Sequence, residues 1–243
     1  MNAMDEWKEL LQASSKEMGI ALTATQAEQF MTYMDLLLEW NEKMNLTTIT
    51  EPRDVVLKHF ADCLSIVPFL EIKENTKIID VGTGAGFPGI PVKIACPHMS
   101  MLLLDSLQKR IGFLEAVMRK LMLTDVSCVH SRAEDAGQSP LYREQFDYCV
   151  SRAVANLAVL AEYCLPFVKV GGRLIALKGP EAGKEVQEAQ RAVAKLGGKI
   201  MSIHDVTIPF TDLAHKLIII EKNKATPKQY PRKAGTISKS PLT

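Results

Sequence analysis

KIIDVGTGAGFPGIP, residues 77–91, joins a short apolar run to a glycine-rich loop and then to a second apolar segment. The run has the length and composition of a buried strand. Glycines follow at positions 82, 84, 86 and 89, and we call residues 82–89 the glycine loop. Glycine lets the backbone approach a ligand without a Cβ clash and adopt positive φ. The stretch therefore predicts a ligand site where a first strand turns into a helix.

Further short apolar runs alternate with helical stretches along the rest of the chain. Because the runs do not alternate polar with apolar residues, we expect strands that are buried on both faces. The runs are KIIDVG, SMLLLD, SCVHS, FDYCVSRA, GRLIALK, KIMSIHDVTI and HKLIIIEK, and the intervening helices are predicted at about 90–96, 108–122, 156–168 and 181–196. The pattern predicts an α/β fold with a largely parallel sheet.

The last two runs are joined only by PFTDLA, residues 209–214. This linker is too short for a crossover helix. Strand seven is therefore predicted to return antiparallel to strand six.

Residues 5–70 have the pattern of successive helices, which we expect to form a cap on the sheet. Thr25 and Glu28 have the spacing of a capping box. A stripe for a buried face follows at Phe30, Met34, Leu37 and Leu38. Pro52, close to a candidate cap at Thr50, is predicted to open a third helix that runs through His59 and Phe60.

The composition fits a globular protein. The chain has 243 residues, 47% hydrophobic and 23% charged, which excludes a disordered tail protein. Its five cysteines are at least 15 residues apart, so no disulfide framework or metal knuckle is indicated. No secretory signal or membrane span is predicted. We expect a cytoplasmic monomer without a metal.

Positive charge is concentrated at the carboxyl end. Residues 222–243 hold six cations and no acid, so this tail carries +6 and the rest of the chain −5. Such a tail favours contact with a phosphate backbone, and a solubilising tail is the alternative. We divide the chain into a helical cap (1–70), a core domain (71–223) and a basic tail (224–243).

The glycine loop and the residues around it indicate which cofactor binds. Gly84, Gly86 and Gly89 also match G-x-G-x-x-G, so a dinucleotide is a candidate. However, prolines at positions 88 and 91 remove amide donors that a diphosphate would need. Asp80 would repel a diphosphate and attract a cationic ligand, and Asp105 could accept both hydroxyls of a ribose. The loop thus favours S-adenosylmethionine, with NAD(P) as the alternative.

The sequence resembles a known protein family along essentially its whole length. It is similar to the bacterial glucose-inhibited division protein B family, the 16S rRNA guanine-N7 methyltransferases. The segments that carry the resemblance are NLTTIT (45–50), HFADCLS (59–65), DVGTGAGFPGIP (80–91), LLDSLQKRIGFL (103–114), SRAED (131–135), SRAVA (151–155), ALKG (176–179) and TPKQYPRKAG (226–235). Two departures are Cys63, where the family usually has serine, and residues 234–238, which lack the family's prolines and predict a looser tail.

The resemblance implies a class I S-adenosylmethionine-dependent methyltransferase with a Rossmann-like sheet in the order 3-2-1-4-5-7-6. It also implies methyl transfer to N7 of a guanine in the 530 loop of 16S rRNA, with the rRNA or small ribosomal subunit as partner. N7 has a lone pair free of any proton, so in-line attack on the methyl group requires no general base. An NAD(P)-dependent oxidoreductase and a non-catalytic RNA-binding module remain the competing hypotheses.

Site residues are expected at strand ends and in the tail. The resemblance places Gly82, Phe87 and Arg152 against the cofactor and raises Glu134, beside Ala133, as an adenine contact. Arg152 could hold a carboxylate, a phosphate or a guanine edge, and a structural ion pair is its alternative. The residues expected to bind the cofactor are Asp80, Gly82, Gly84, Gly86, Phe87, Asp105, Ala133, Glu134 and Arg152. The residues expected to position the substrate are Arg152 and Lys178. The residues expected to bind RNA are Lys228, Arg232 and Lys233. Lys178 could instead cap its strand, and His59 could simply be a packed side chain.

Overall fold

A seven-stranded sheet forms the centre of the protein, in the order β3-β2-β1-β4-β5-β7-β6. The computed structural model describes residues 3–152 and 155–242. Outside the described residues lie 153–154, which belong to the SRAVA segment, and residues 1, 2 and 243, which belong to the predicted cap and tail. The strands are β1 Lys77–Val81, β2 Ser100–Asp105, β3 Val126–His130, β4 Phe146–Arg152, β5 Val168–Lys178, β6 Gly198–Thr207 and β7 Ala214–Lys222. The predicted α/β class and strand order are confirmed.

Strand direction follows the length of the connections. The pairs among β3, β2, β1, β4 and β5 are parallel, whereas β7 is antiparallel to both β5 and β6. The short linker between β6 and β7 therefore makes a hairpin, as predicted. The expectation that every strand is buried on both faces is wrong for β6, whose residues alternate between more and less exposed, and for β3, because these two strands are the edges of the sheet.

Helices cover both faces of the sheet. The predicted helices of the core are present with ends shifted by a few residues, and two short helices, Ala133–Ala136 and Thr236–Lys239, were not predicted. The helices are α1 Ala3–Glu17, α2 Ala24–Met44, α3 Pro52–Asp54, α4 Asp62–Leu64, α5 Gly89–Ala95, α6 Gln108–Lys120, α7 Ala133–Ala136, α8 Leu157–Cys164, α9 Ala182–Lys195 and α10 Thr236–Lys239. A π-helical turn, Val55–Ala61, joins α3 to α4, and we call this continuous segment the 52–64 helix.

The starts of two helices differ from prediction. The capping box of α2 is formed by Thr23 and Gln26, not by Thr25 and Glu28: Thr23 Oγ1 accepts from Gln26 N (3.2 Å), and Gln26 Oε1 accepts from Thr23 N (2.9 Å). Both pairs have the same spacing, so the motif alone could not choose the register. Similarly, the residue before α3 is Glu51, which makes no side-chain cap.

The cap and the sheet share one hydrophobic cluster. Phe30, Tyr33 and Phe60 are fully buried, and the Tyr33 ring lies 5.3 Å from that of Phe60 and 5.6 Å from that of Phe87 in the glycine loop. Aromatic pairs at this separation add to the stabilisation from burial. The cap therefore packs directly against the loop that follows β1.

The basic tail is anchored, not loose. Arg232 makes a bidentate ion pair with the fully buried Glu162 of α8, with Nη2 2.6 Å from Oε2, and Ile237 of α10 is fully buried. Lys222 is also fully buried, bonded to Glu144 and to main-chain carbonyls. Two of the six cations in residues 222–243, Lys222 and Arg232, are therefore paired inside the protein, although Arg232 was expected to bind RNA. Lys228 and Lys233 are exposed. In the part of the chain that the structure describes, no helix is long and apolar enough to cross a membrane.

Candidate functional site

The glycine loop is held from below by Asp80, the fourth residue of β1. Asp80 is fully buried, and its Oδ2 accepts hydrogen bonds from Thr83 Oγ1 (2.6 Å) and Gly89 N (2.8 Å). Burial raises the pKa of this carboxyl to about 7, although both hydrogen bonds lower it. The structure thus corrects the expectation that Asp80 faces a cationic ligand, because the carboxylate lies beneath the loop and fixes its shape.

Tyr33 holds the same loop from the cap. Its fully buried hydroxyl donates to the carbonyl of Ala85. A Cβ at Gly86 would lie 2.7 Å from this hydroxyl, so Gly86 packs on the cap and is not aimed into a ligand space. Sequence reasoning missed Tyr33, although its spacing from Phe30 and Leu37 places it on the predicted buried stripe. Periodicity indicates that a residue is buried but does not reveal its hydrogen-bond partner.

Gly84 faces open space, unlike Gly86 and Gly89 of the same loop. Its φ is +62°, which L side chains rarely adopt, and no described atom lies within 4 Å of where its Cβ would be. Its amide donates to Asp105 Oδ2 (2.9 Å). The absence of a side chain here keeps the backbone accessible from the cleft above the loop.

The amides of the glycine loop are mostly occupied within the protein. Those of Gly82 and Thr83 donate to the Leu104 carbonyl, and those of Gly86 and Phe87 donate to the Thr83 carbonyl. The Gly84 and Gly89 amides donate to carboxylates. A dinucleotide loop must offer free amides to a diphosphate. The arrangement therefore does not favour the NAD(P) alternative.

Asp105 ends β2 next to the loop. Besides Gly84, its carboxylate accepts from Leu107 N (2.9 Å) and Arg110 Nη1 (3.2 Å), and the residue is 3% exposed. Each carboxylate oxygen has more than one acceptor site, so these bonds leave capacity for a hydroxyl. Asp105 borders both lobes of the cleft described next.

The cleft above the carboxyl ends of β1, β2 and β4 has two lobes. One lies toward β3 and is lined by Val81, Gly82, Leu104, Asp105, Ser106, Ser131, Arg132, Ala133, Glu134 and Tyr163. The other lies toward the cap and is lined by Leu46, Thr47, His59, Gly82, Thr83, Gly84, Ala85, Phe87, Asp105, Ser106, Arg110 and Arg152. The structure thus brings most of the predicted cofactor residues together, Ala133 and Glu134 in the first lobe and Phe87 and Arg152 in the second.

Arg152, at the end of β4, is fixed by a polar cluster. Its Nη1 donates to Asp62 Oδ2 (2.8 Å), and its guanidinium lies 4.8 Å from the centre of the Phe87 ring. The other Asp62 oxygen bonds to His215 Nδ1 (2.9 Å). Burial acts to raise the pKa of Asp62, but the hydrogen bond from His215 and the charge of Arg152 prevail and lower it. Asp62 and His215 were not predicted as site residues.

His59 is a packed histidine that also borders the cap-side lobe. Its ring stacks on Phe87 at 4.5 Å, and its Nδ1 accepts from Arg152 Nη2 (3.2 Å). The ring proton therefore sits on Nε2 and is donated to Thr47 Oγ1 (2.7 Å). Burial, together with the Arg152 charge, lowers the pKa of His59 to about 4. His59 is consequently neutral near neutral pH.

Two further predicted or noted residues have structural partners. Lys178 pairs with Glu185 (2.8 Å) and donates to the Ala155 carbonyl, with its side chain 8% exposed. These partners fit the alternative in which Lys178 caps its strand, and its expected role in positioning substrate stays a prediction. Cys63 is fully buried, and burial raises the pKa of its thiol, so the residue packs as a small apolar side chain.

A family model described as rRNA small subunit methyltransferase G matches residues 26–213. A protein named ribosomal RNA small subunit methyltransferase G from Alkaliphilus metalliredigens is 53% identical over 237 residues, covering 98% of this chain and 99% of the relative. The protein of that name from Clostridium novyi is 49% identical over 242 residues, with complete coverage of both chains.

Two solved structures share the fold at low sequence identity. The M. jannaschii TYW2 structure in complex with AdoMet has a TM-score of 0.50 and 13% identity, covering 62% of this chain and 69% of its own. A chain in the complex of the Haloferax volcanii Trm112 methyltransferase activator with a methyltransferase has a TM-score of 0.58 and 12% identity. The match covers 77% of this chain and 98% of that chain. These likenesses show the fold.

The low pKa of His59 predicts an acid-side loss of stability. Between pH 6.5 and about 4, the unfolded chain binds a proton that the folded protein refuses, so stability falls as the pH drops through this range. For the His59→Gln variant, we expect the loss of unfolding free energy between about pH 7 and about pH 4.5 to be smaller by about 2 kcal/mol. Urea unfolding at the two pH values measures this difference.

The exposed His98 supplies the matched control. His98→Gln removes an imidazole outside both lobes and is unfolded under the same conditions. Equal pH dependence in the parent and the His59→Gln variant would show that His59 is not held neutral by its surroundings.

Proposed function

The chain belongs to the rRNA small subunit methyltransferase G family, and from this membership we propose that it methylates N7 of a guanine in the 530 loop of 16S rRNA, using S-adenosylmethionine. The observation that carries the proposal is the two-lobed cleft at the carboxyl ends of β1, β2 and β4, in a chain of this family. In open α/β sheets, ligands bind at this edge.

The residues of the cleft fit the cofactor. Gly84 leaves room for close approach, Phe87 forms an apolar wall, and Asp105 retains acceptor capacity for ribose hydroxyls. S-adenosylmethionine, when bound, supplies a methyl group on a cationic sulfur. Its proposed contacts are Gly82, Gly84, Phe87, Asp105, Ala133, Glu134 and Arg152, while Asp80 and Gly86 keep the loop in shape.

The chemistry requires positioning more than proton transfer. N7 of guanine attacks the methyl carbon with an unprotonated lone pair while the methyl–sulfur bond breaks, and its electron pair leaves with the sulfur of S-adenosylhomocysteine. Because N7 loses no proton, the chain needs no general base, and correct in-line geometry supplies the acceleration. In agreement, His59 is neutral with its Nδ1 lone pair occupied by Arg152. Arg152 is held by Asp62 and His59 at the floor of the cap-side lobe, where we propose that it orients the guanine.

Methyl mapping tests the function. Small ribosomal subunits that lack the modification are incubated with the protein and S-adenosylmethionine labelled in its methyl group, and the 16S rRNA is digested and analysed by mass spectrometry. We expect one labelled N7-methylguanosine in the 530 loop. Label at another base would contradict the proposed acceptor, and 16S rRNA without label would contradict the proposed function.

Substitution at Gly84 tests the cofactor site. Gly84→Val places a branched side chain in the space above the loop, so we expect the affinity for S-adenosylmethionine to be lost in calorimetry. Gly171→Val is the matched control, because Gly171 also has positive φ (+85°) and a Cβ position free of described atoms, but lies outside both lobes. Equal affinity in the two variants would mean that Gly84 does not face the cofactor.

For the tail, we propose that Lys228 and Lys233 contact RNA phosphates, with Arg232 serving as the anchor. Replacing both lysines with alanine should weaken RNA binding and reduce the slope of log affinity against log salt by about 1.5, since each lost contact removes about 0.7 to 0.9. Lys77 and Lys120, also exposed, are replaced together as the control. If the plots of log RNA affinity against log salt coincide for the parent and the tail variant, the result would favour a solubilising tail.

A further inference from the structure

The tip of the β6–β7 hairpin, residues 208–213, lies at the same edge of the sheet as the cleft. Because β7 is antiparallel to β5, the start of β7 pairs with the carboxyl end of β5, with Lys216 opposite Lys178. Arg152 ends the neighbouring strand β4, opposite Leu177. The topology therefore places the hairpin tip at the same edge of the sheet as the end of β4, with only β5 between them.

Hydrogen bonds fix the conformation of the tip. Ile208 N donates to the Leu213 carbonyl (3.0 Å), Thr211 N and Oγ1 donate to the Ile208 carbonyl, and Thr211 Oγ1 accepts from Leu213 N. Within this turn Phe210 has a φ of +65° and is 52% exposed. A bulky residue at positive φ is rare and strained. The turn thus holds an aromatic ring in solvent at a local cost that core packing does not explain.

A cleft of about 770 Å³ separates the tip from the 52–64 helix. Its lining comprises Arg53, Asp54, Lys58, Phe210, Thr211, Asp212 and Leu213. Arg53 Nη2 donates to the Phe210 carbonyl (3.1 Å), which ties the tip to the helix. Lys58 links this cleft to the cap-side lobe, because its main-chain carbonyl accepts from Nη1 of Arg152 (3.4 Å), which lines that lobe.

We propose that Phe210 is a stacking platform for an unpaired RNA base next to the target nucleotide; this inference rests on the proposed function. An aromatic face accepts any base, and such stacking recurs wherever proteins hold single-stranded nucleic acid. Arg53 and Lys58 lie within reach of the adjoining phosphates, but Asp54 and Asp212 balance their charge. Stacking, not charge, therefore supplies the affinity of this subsite.

The test compares Phe210→Ala with Phe210→Tyr, which keeps the ring. Binding to small ribosomal subunits is measured over a salt series. We expect Phe210→Ala to weaken binding by about 5- to 100-fold, with the salt slope of the parent, because no phosphate contact is lost. Phe210→Tyr should bind like the parent, and affinity for S-adenosylmethionine should be unchanged in both variants.

Met122→Ala is the matched control. Met122 is also apolar, 84% exposed and at positive φ (+52°), but lies at the carboxyl end of α6. This variant should bind small subunits like the parent. A photoreactive p-benzoylphenylalanine at position 210 identifies what the ring touches, and irradiation on small subunits should cross-link it to 16S rRNA.

The proposal would be overturned if Phe210→Ala bound small subunits as tightly as the parent, or if Phe210→Tyr or Met122→Ala lost as much affinity as Phe210→Ala. A changed salt slope or a weaker affinity for S-adenosylmethionine in Phe210→Ala would also contradict it. So would a cross-link from position 210 only to a ribosomal protein. The proposed function is judged separately by whether the parent methylates 16S rRNA. If the parent methylates 16S rRNA and Phe210→Ala binds small subunits as tightly as the parent, the stacking proposal is contradicted and the proposed function is not.

Discussion

The buried carboxylate of Asp80 is the constraint on which the shape of the glycine loop depends. One of its oxygens binds both Thr83 and Gly89, so the residue spans the loop from its start to the first residue of α5. The other oxygen has no hydrogen-bond partner among the described residues, and burying a carboxylate in this way is costly unless it is well bonded. Asp105 and Tyr33 fix the middle of the loop from β2 and from the cap, at Gly84 and Ala85.

This way of holding the loop has a chemical consequence. Because carboxylates and main-chain carbonyls occupy most of its amides, the loop disfavours a cofactor that presents a diphosphate, whereas Asp105 retains acceptor capacity for hydroxyls. The polar cluster around Asp62 fixes the cap-side lobe in a similar way. It connects the 52–64 helix, β4 and β7 through Arg152 and His215, so three separate parts of the chain set the position of one guanidinium.

Much of the fold could be predicted because apolar runs and linker lengths are local properties. The strands, and the antiparallel return after PFTDLA, follow from them, whereas the full strand order came from the family resemblance. Ion-pair partners far apart in the sequence could not be predicted in this way. Arg232 and Glu162 are 70 residues apart, so a cation that anchors the tail has the same local pattern as one that binds RNA. The one available signal was Glu162 itself, an acid within the otherwise apolar helix LAVLAEYC.

The most direct measurement of the central claim is the affinity for S-adenosylmethionine of Asp80→Ala and Asp80→Asn beside the parent, with folding checked by thermal unfolding. Alanine removes the acceptor of both loop bonds, and asparagine keeps an acceptor oxygen without the charge. If Asp80 acts by holding the loop, affinity falls roughly 10- to 100-fold in the alanine variant and stays near that of the parent in the asparagine variant. Equal losses in the two folded variants, or no loss in the alanine variant, would contradict the account.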